Sequence, residues 1–228
     1  MLKAIIFDFD YTLGDSTNGI VLSIHYALEK LGYEVPDTAD IKKTIGLSLK
    51  ETYFALTSET HPEEAEQFAK LFKEKADRVM VAHTELYAGV KDALQKLKAK
   101  GYKLAIVTTK FHYRIEQILS KFNANELIDM IVGAEDVRME KPDPEGLLWA
   151  MEHLAAGNEE ALYVGDSLVD AKTAANAKVR FAAVLTGTTT REDFRNYQSV
   201  YIGENVPDVC NYIEEVYLRQ SKTERMGD

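Results

Sequence analysis

The stretch 2–16, LKAIIFDFDYTLGDS, decides the fold. Its apolar run Ile5–Phe7 leads directly to two carboxylates, Asp8 and Asp10. An apolar run beside turn residues is typical of a buried strand in a parallel sheet. Because residues i and i+2 of a strand point the same way, both carboxylates should project from its C-terminal end, where open α/β sheets bind ligands. Neighbouring carboxylates repel each other, and a divalent metal ion is the usual means of offsetting that repulsion.

The composition is that of an ordinary globular protein. The chain has 228 residues, of which 46% are hydrophobic and 28% charged, and these values indicate neither disorder nor a membrane protein. Apolar runs stay short of the ~20 residues that span a bilayer, and no signal-peptide pattern is visible. A formal charge of −10 disfavours nucleic acids and anionic membranes as partners. The single Cys210 fits a reducing compartment, so we expect a cytoplasmic protein.

Residues 16–84 have the character of a helical insert. Their apolar residues recur at helical spacing, Gly32 and Pro36 act as breakers, and no convincing strand appears. We therefore predict a helical cap domain over residues 16–84 and a catalytic core formed by residues 1–15 and 85–228.

From residue 85 onward, predicted strands alternate with helices, which indicates a parallel sheet with helices on both faces. The predicted fold is α/β, with a Rossmann-like doubly wound parallel sheet and a small all-helical cap inserted after the first strand. The predicted strands of this part are 103–108, 127–132, 161–165, 181–185 and a short strand near 199–202. The predicted helices are 90–100, 113–122, 144–154, 168–177 and 206 to about 219, followed by a frayed tail over 221–228.

Polar residues accumulate where these strands end. Thr108 ends one strand, Asp166 ends another, and Asp170 follows Asp166 by one helical turn. Between them, Lys141 precedes a proline, which favours an extended backbone. Each residue alone has a structural explanation, as a helix cap, a solvated loop charge or an acid favoured by a helix dipole. Together, in order along one edge of one sheet, they indicate a site.

These residues resemble the four motifs of the haloacid dehalogenase superfamily, within its phosphoglycolate-phosphatase-like branch. The matching segments, in order, are DFDYTL at 8–13, Thr108, KPDP at 141–144 and GDSLVD at 165–170. The resemblance covers nearly the whole chain, including the position of the cap. Two residues depart from the pattern: Tyr11 replaces a glycine usual in that branch, and Thr109 replaces an asparagine.

The resemblance implies catalytic roles that agree with the chemistry of the residues. Asp8 resembles the nucleophile that attacks phosphorus and forms an aspartyl-phosphate. Asp10 would protonate the leaving oxygen and then accept a proton from the water that cleaves the acyl-phosphate. Thr108 and Lys141 would bind the phosphoryl oxygens.

The same resemblance implies a Mg²⁺ site. The ion would be held by Asp8, by the backbone carbonyl of Asp10 and by Asp166. Asp170 would act one step further out, by orienting a metal-bound water or by pairing with Lys141.

Substrate selection is expected to depend on the cap. The segment 46–50 matches a cap loop that faces the active site, so Ser48 and Lys50 are candidates for contacting the leaving group, together with Thr12 and Thr109 in the core. Ser48 could equally be an ordinary helix N-cap. A site under a small lid favours a small phosphorylated metabolite, such as a phosphoglycolate-like ester or pyrophosphate, bound by a monomer or homodimer.

Three alternative functions compete with this interpretation. A sugar phosphomutase of the same superfamily shares every motif and would depend on a sugar bisphosphate. A haloacid dehalogenase proper needs neither Mg²⁺ nor the second carboxylate of the first motif, so Asp10 and Asp166 argue against it. A non-enzymatic signalling domain phosphorylated on Asp also combines acids, a Thr and a Lys, but such domains are about half this length and lack the helical insert.

Overall fold

The computed structural model describes the backbone of residues 1–225 and the side chains through residue 216. The described residues contain a six-stranded sheet in which every neighbouring pair of strands is parallel, with the order β5-β4-β1-β6-β7-β8. Its strands are β1 Ala4–Phe7, β4 Lys103–Val107, β5 Met130–Val132, β6 Ala161–Gly165, β7 Arg180–Val184 and β8 Ser199–Gly203. The predicted Rossmann-like α/β class is confirmed.

Helices cover both faces of this sheet. The core helices are α5 Val90–Ala99, α6 His112–Lys121, α7 Glu145–His153, α8 Leu168–Ala177 and α9 Val206–Arg225. Successive residues of β1 point to opposite faces, so Ile5 and Phe7 are buried in one hydrophobic cluster with α5, α6 and α9. Ile6 is buried in a second cluster with α7 and α8. Both faces of the sheet are therefore buried at β1. This burial explains why the sequence of β1 is apolar throughout and does not alternate between apolar and polar residues.

Residues 16–84 contain helices only. These are α1 Thr17–Leu31, α2 Thr38–Lys42, α3 Leu49–Thr57 and α4 Pro62–Val79. They bury a third hydrophobic cluster of their own, in which Ile24 of α1, Tyr53 of α3 and Phe68 of α4 are almost fully inaccessible.

A short antiparallel pair of strands, which the sequence did not indicate, joins the helical segment to the core. Gly14–Asp15 (β2) pairs with Glu85–Leu86 (β3), where the chain leaves and re-enters the core. A Cβ on Gly14 would lie 2.8 Å from the carbonyl oxygen of Glu85, so the pairing requires glycine. Two-residue strands are too short to leave a periodic pattern in the sequence.

Several predicted boundaries change. The strand expected over 127–132 begins only at Met130, because Asn125–Leu127 forms a 3₁₀ turn. The terminal helix expected to end near 219 continues to Arg225, so the frayed tail expected from 221 is helical over 221–225. Residues 226–228 of that tail lie outside the described residues. Through residue 225, no helix combines the length and the apolar character needed to cross a bilayer.

Candidate active site

The predicted site residues meet at the C-terminal edge of the sheet. Asp8 follows β1, Thr108 follows β4 and Asp166 follows β6, and both β4 and β6 pair directly with β1. All three side chains are buried. Parallel strands end at the same edge, so adjacent strands bring Asp8 close to residues that are 100 (Thr108) and 158 (Asp166) positions away in the sequence.

Lys141 links two of the predicted acids. Its Nζ lies 2.9 Å from Asp8 Oδ1 and 2.7 Å from Asp170 Oδ1. It also donates a hydrogen bond of 3.2 Å to the hydroxyl of Tyr163, which in turn donates to Asp170. Burial opposes the charge on Lys141, but the Asp170 and Asp8 carboxylates outweigh burial and raise its pKa well above the usual range. The ammonium group is therefore held charged beside Asp8.

Asp8, Asp166 and Asp170 form a buried acidic cluster, in which one oxygen from each lies within 4.8 Å of the others. Desolvation by burial raises the pKa of Asp8 to about 6; Lys141 lowers it in part, while Asp170 raises it further. Burial, followed by repulsion from Asp170 and Asp8, also raises the pKa of Asp166 well above its usual range. Crowded carboxylates therefore hold protons more tightly than isolated ones unless another positive charge joins them.

The acidic cluster fits a divalent cation. Among the residues that the structure describes, Asp8 Oδ1 is buried without a hydrogen-bond partner, although Lys141 is in ionic contact with it. A Cβ on Gly187 would lie 1.9 Å from Asp166 Oδ2, so the approach to this carboxylate requires the absence of a side chain. Oxygen donors of this type are the ligands that Mg²⁺ prefers. Within the acidic cluster, Asp8 and Asp166 are thus the carboxylates that could offer an oxygen to the ion.

Asp170 differs from those two, because protein groups contact both of its oxygens. Oδ1 contacts Lys141 and Tyr163, and Oδ2 accepts from the amide and hydroxyl of Ser167, the N-cap of α8. This bonding favours the outer role that the sequence suggested for Asp170, as the partner of Lys141.

Lys110 also lies at the candidate site, although the sequence alone indicated no role for it. Its Nζ lies 2.9 Å from Asp10 Oδ2, and its side chain is only 4% exposed. The carboxylate of Asp10 therefore pairs with Lys110, while the ligand atoms of the acidic cluster come from other residues. A signal was available, since Lys110 lies two residues beyond the predicted Thr108 in the loop after β4.

Tyr11 occupies a backbone conformation that favours glycine. Its φ is 60°, in the left-handed region, which costs a non-glycine residue about 1–2 kcal/mol. Its carbonyl accepts a hydrogen bond from the Thr186 hydroxyl, and its own hydroxyl accepts one of 2.9 Å from Thr17. These contacts hold the side chain between the loop after β1 and the start of α1. The left-handed φ is one that glycine, the residue of the resembling branch at this position, adopts without strain.

The four candidate substrate residues are placed differently. Thr12 donates to Asp166 Oδ1 at 3.2 Å, and Thr109 donates to the carbonyl of Gly46 in the helical segment at 3.5 Å. Ser48 accepts from the amide of Glu51 in a capping box that begins α3. Lys50 is exposed and lies over the ring of Phe54. Ser48 and Lys50 line a wide outer cleft between the helical segment and the rest of the chain, and Lys141 also lines this cleft.

A smaller cavity of about 50 Å³ lies between the helical segment and the core, next to Asp10. Thr109, Lys110, Phe111 and Arg114 line its core side. Its other walls come from the helical segment and are mostly apolar. Gly46 and Leu47 of segment 46–50 therefore line the small cavity beside Asp10, the predicted general acid, whereas Ser48 and Lys50 do not.

The fold and these side chains are typical of an α/β enzyme, and the candidate active site lies at the carboxyl edge of the parallel sheet. Residues 5–184 match the family model described as haloacid dehalogenase-like hydrolase, and the chain belongs to this family. The predicted resemblance is therefore confirmed.

Relatives and a solved structure agree with this family. The chain is 32% identical to a phosphoglycolate phosphatase of Aquifex aeolicus, over 82% of this chain and 86% of the relative. It is 30% identical to the pyrophosphatase PpaX of Halalkalibacterium halodurans, over 93% and 97% of the two chains. A structure from Bacteroides fragilis described as a haloacid dehalogenase-like hydrolase is 40% identical, with a TM-score of 0.89 over 92% of this chain and 100% of the other. The prediction of a phosphatase-type enzyme is confirmed.

Proposed function

We propose that this protein is a Mg²⁺-dependent phosphatase that hydrolyses a small phosphomonoester through an aspartyl-phosphate on Asp8. The observation that carries the proposal is the buried arrangement of Asp8, with Lys141 at 2.9 Å and Asp166 in the same acidic cluster. At this edge, where α/β sheets bind ligands, Asp8 can act as the nucleophile. Lys141 supplies a fixed positive charge beside it, and Asp166 supplies a carboxylate that can bind a cation.

In the first step, an oxygen of Asp8 attacks phosphorus, and the bond between phosphorus and the leaving oxygen breaks. Asp10 gives its proton to that leaving oxygen. In the second step, Asp10 takes a proton from a water molecule, which attacks phosphorus and releases inorganic phosphate from Asp8. Together, the two steps return Asp10 to its starting protonation state, so the same carboxyl group acts first as the acid and then as the base.

Lys141 and Thr108 are proposed to bind the oxygens of the phosphoryl group as its negative charge redistributes. The loss of one such donor typically costs on the order of 10²–10³ in rate. Asp8, the backbone carbonyl of Asp10 and Asp166 are proposed to hold Mg²⁺, which supplies positive charge that offsets the carboxylates and the phosphoryl group when it is bound. Asp170 keeps Lys141 in position through the 2.7 Å contact.

Residues 16–84 are proposed to act as a cap domain on a core of residues 1–15 and 85–228. Closure of such a cap excludes bulk water and strengthens the electrostatic interactions inside. A small covered site favours small metabolites over nucleic acids, and the names of the two relatives suggest a phosphoglycolate-like ester or pyrophosphate as substrate. We propose that it works in the cytoplasm as a monomer or homodimer.

The test is phosphate release from a panel of small phosphomonoesters, pyrophosphate and sugar phosphates, with Mg²⁺ or with a chelator. Wild type is compared with Asp8→Asn and with Asp92→Asn, a matched change at an exposed acid of α5. We expect activity that requires Mg²⁺, is lost in Asp8→Asn and is retained in Asp92→Asn. Substantial phosphatase activity in Asp8→Asn would exclude the covalent route, and a requirement for a sugar bisphosphate would indicate a mutase.

A further inference from the structure

Lys110 is a buried cation to which the proposed mechanism gives no role. Its side chain is only 4% exposed, and its Nζ lies 2.9 Å from Asp10 Oδ2. Both residues line the small cavity between the helical segment and the core. A buried ammonium group needs a counter-charge, and Asp10 supplies one. Because Asp10 is also the proposed general acid, the same contact has a consequence for the chemistry.

The two oxygens of the Asp10 carboxyl group have different surroundings. Oδ2 is in contact with the ammonium group of Lys110. Oδ1 is buried and has no hydrogen-bond partner among the residues that the structure describes. The large majority of buried side-chain polar atoms in native proteins have a partner, so this oxygen requires an explanation. The ion pair accounts for Oδ2 and leaves Oδ1 unexplained.

The contact with Lys110 decides which oxygen can carry the acidic proton. An ammonium group has three N–H donors and no acceptor, so Oδ2 must accept from it. A proton on Oδ2 would weaken this acceptor and bring a further positive hydrogen close to the ammonium group. A proton on Oδ1 leaves the contact between Oδ2 and Lys110 intact. The geometry therefore favours Oδ1 as the oxygen that is protonated.

The backbone of Lys110 is held on both sides, so the position of its side chain is well defined. Its carbonyl accepts a hydrogen bond of 3.1 Å from the amide of Ala134. Its amide donates to Thr108 Oγ1 at 3.3 Å, which uses this hydroxyl as an acceptor and does not use its O–H. A group that orients a catalytic side chain must itself be fixed, and the loop after β4 fixes Lys110 in this way.

We propose that Lys110 is a positioning residue for the general acid, whose ammonium group holds Oδ2 of Asp10 so that Oδ1 transfers the proton in both steps. In the first step, the proton on Oδ1 goes to the leaving oxygen as its bond to phosphorus breaks. In the second step, Oδ1 takes a proton from the attacking water. Lys110 stays an ammonium group throughout. This inference rests on the proposed phosphatase function and adds to it the residue that orients the acid.

The test compares ethyl phosphate with trifluoroethyl phosphate, two esters of similar shape. Trifluoroethoxide is the weaker base, so its departure needs less help from an acid. We expect Lys110→Met to lower the ratio of kcat/KM for ethyl over trifluoroethyl phosphate by about 10-fold or more, because general acid catalysis contributes about 10²–10⁴-fold to a rate. Both esters are measured on the same preparation, so a loss of folded protein does not change the ratio.

Two further variants show whether the effect belongs to this pair. Lys110→Arg keeps the charge and the donors, and the adjoining cavity offers space for the added atoms, so it should retain most of the wild-type ratio. Lys98→Met is the matched control, because Lys98 lies 2.7 Å from Asp129 Oδ1. Asp129 also accepts from the amide of Leu104 near the start of β4, at the opposite edge of the sheet. Lys98→Met should leave the ratio unchanged.

A double-mutant cycle separates positioning from direct contact with the substrate. Asp10→Asn should lower the same ratio, and Asp10→Asn/Lys110→Met should lower it no further, because Lys110 acts through Asp10. A further fall in the double variant would show that Lys110 acts on the leaving group itself and would overturn the inference. It would also be overturned if Lys110→Met slowed both esters equally or if Lys98→Met lowered the ratio as much.

A measurement without turnover separates this inference from the proposed function. Crystal structures of wild type, Lys110→Met and Lys98→Met compare the position of the Asp10 carboxyl group directly. We expect this group to change rotamer in Lys110→Met and to keep its place in Lys98→Met. An unmoved Asp10 in Lys110→Met would reject the role of Lys110, even if wild type were an active phosphatase. A wild type that released phosphate from no ester would reject the proposed function and this inference together.

Discussion

The ammonium group of Lys110 lies 2.9 Å from Asp10 Oδ2, and both side chains are almost inaccessible to solvent. The removal of one partner of a buried ion pair leaves the other charge uncompensated, which typically costs about 3–5 kcal/mol. We therefore expect Lys110→Met to lower the free energy of unfolding strongly in urea titrations and to slow phosphate release. The double variant Asp10→Asn/Lys110→Met is the control and should recover much of that stability. Equal stability of Lys110→Met and wild type would show that the pair is not coupled.

Asp10→Asn should slow turnover but keep metal binding. The carboxylate faces Lys110, whereas the cluster of potential ligand atoms comes from Asp8, Asp166 and Asp170. The loss of a general acid and base typically reduces the rate about 10²–10⁴-fold. Calorimetric titration with Mg²⁺ should give a similar affinity for Asp10→Asn and wild type, and a much weaker one for Asp166→Asn. A loss of Mg²⁺ binding in Asp10→Asn would assign its carboxylate to the metal.

The sequence was most informative where the fold has strict periodicity. The apolar run of β1, the alternation of strands and helices and the polar residues at strand ends predicted the sheet and its functional edge. These features depend on local sequence, because a strand buried on both faces must be apolar throughout. The proximity of Asp8 and Asp166 could be expected because adjacent parallel strands end at the same edge. The pairing of Lys141 with Asp170 was instead one of two roles that the family resemblance implied for Asp170.

What the sequence could not provide were contacts that depend on the placement of the helical segment against the core. The pairing of Arg114 with Asp77 joins α6 to α4, and no spacing in the sequence encodes it. Arg114 is an ordinary charged residue in the sequence, and its burial is visible only in the structure. For Lys110 the sequence offers only its position two residues after Thr108. Ser48 shows the converse, because a serine at a cap loop matches both a substrate contact and a helix N-cap.

Ser48→Ala should reduce stability more than it affects the substrate. The Ser48 hydroxyl accepts from the amide of Glu51 and caps α3. The loss of a serine N-cap typically costs about 1 kcal/mol. We expect a fall of that size in the free energy of unfolding, with KM for the best substrate changed less than about twofold. Ser48→Asp, which keeps a capping oxygen, should restore the stability. A large rise in KM for Ser48→Ala, with stability unchanged, would instead support the sequence-based prediction of a substrate contact.

The raised pKa of Asp8 predicts a stabilisation by Mg²⁺ that grows with pH. Burial raises this pKa from the usual 3.8 to about 6. Between these values the metal-free folded protein binds more protons than the unfolded chain, so the contribution of Asp8 to stability is present below about pH 4 and is lost as pH rises through 6. Mg²⁺ needs the ionised carboxylate and competes with the proton over the same range. Its binding should therefore be weak at pH 5 and strong at pH 7.5.

Thermal unfolding with Mg²⁺ or with a chelator at pH 5 and at pH 7.5 measures this competition. The rise in Tm caused by Mg²⁺ reports RT ln(1 + [L]/Kd), so at a fixed Mg²⁺ concentration it should be clearly larger at pH 7.5. Because Tm with Mg²⁺ and Tm with chelator are compared at the same pH, titrating groups that do not contact the ion affect both values equally. Asp8→Asn removes one of the two proposed ligands whose protons compete with the ion. Its response to Mg²⁺ at pH 7.5 should therefore be smaller than that of wild type, with a remaining pH dependence from Asp166, whose pKa is also raised. An equal rise in Tm at both pH values for wild type would mean that the ion binds without displacing a proton from Asp8.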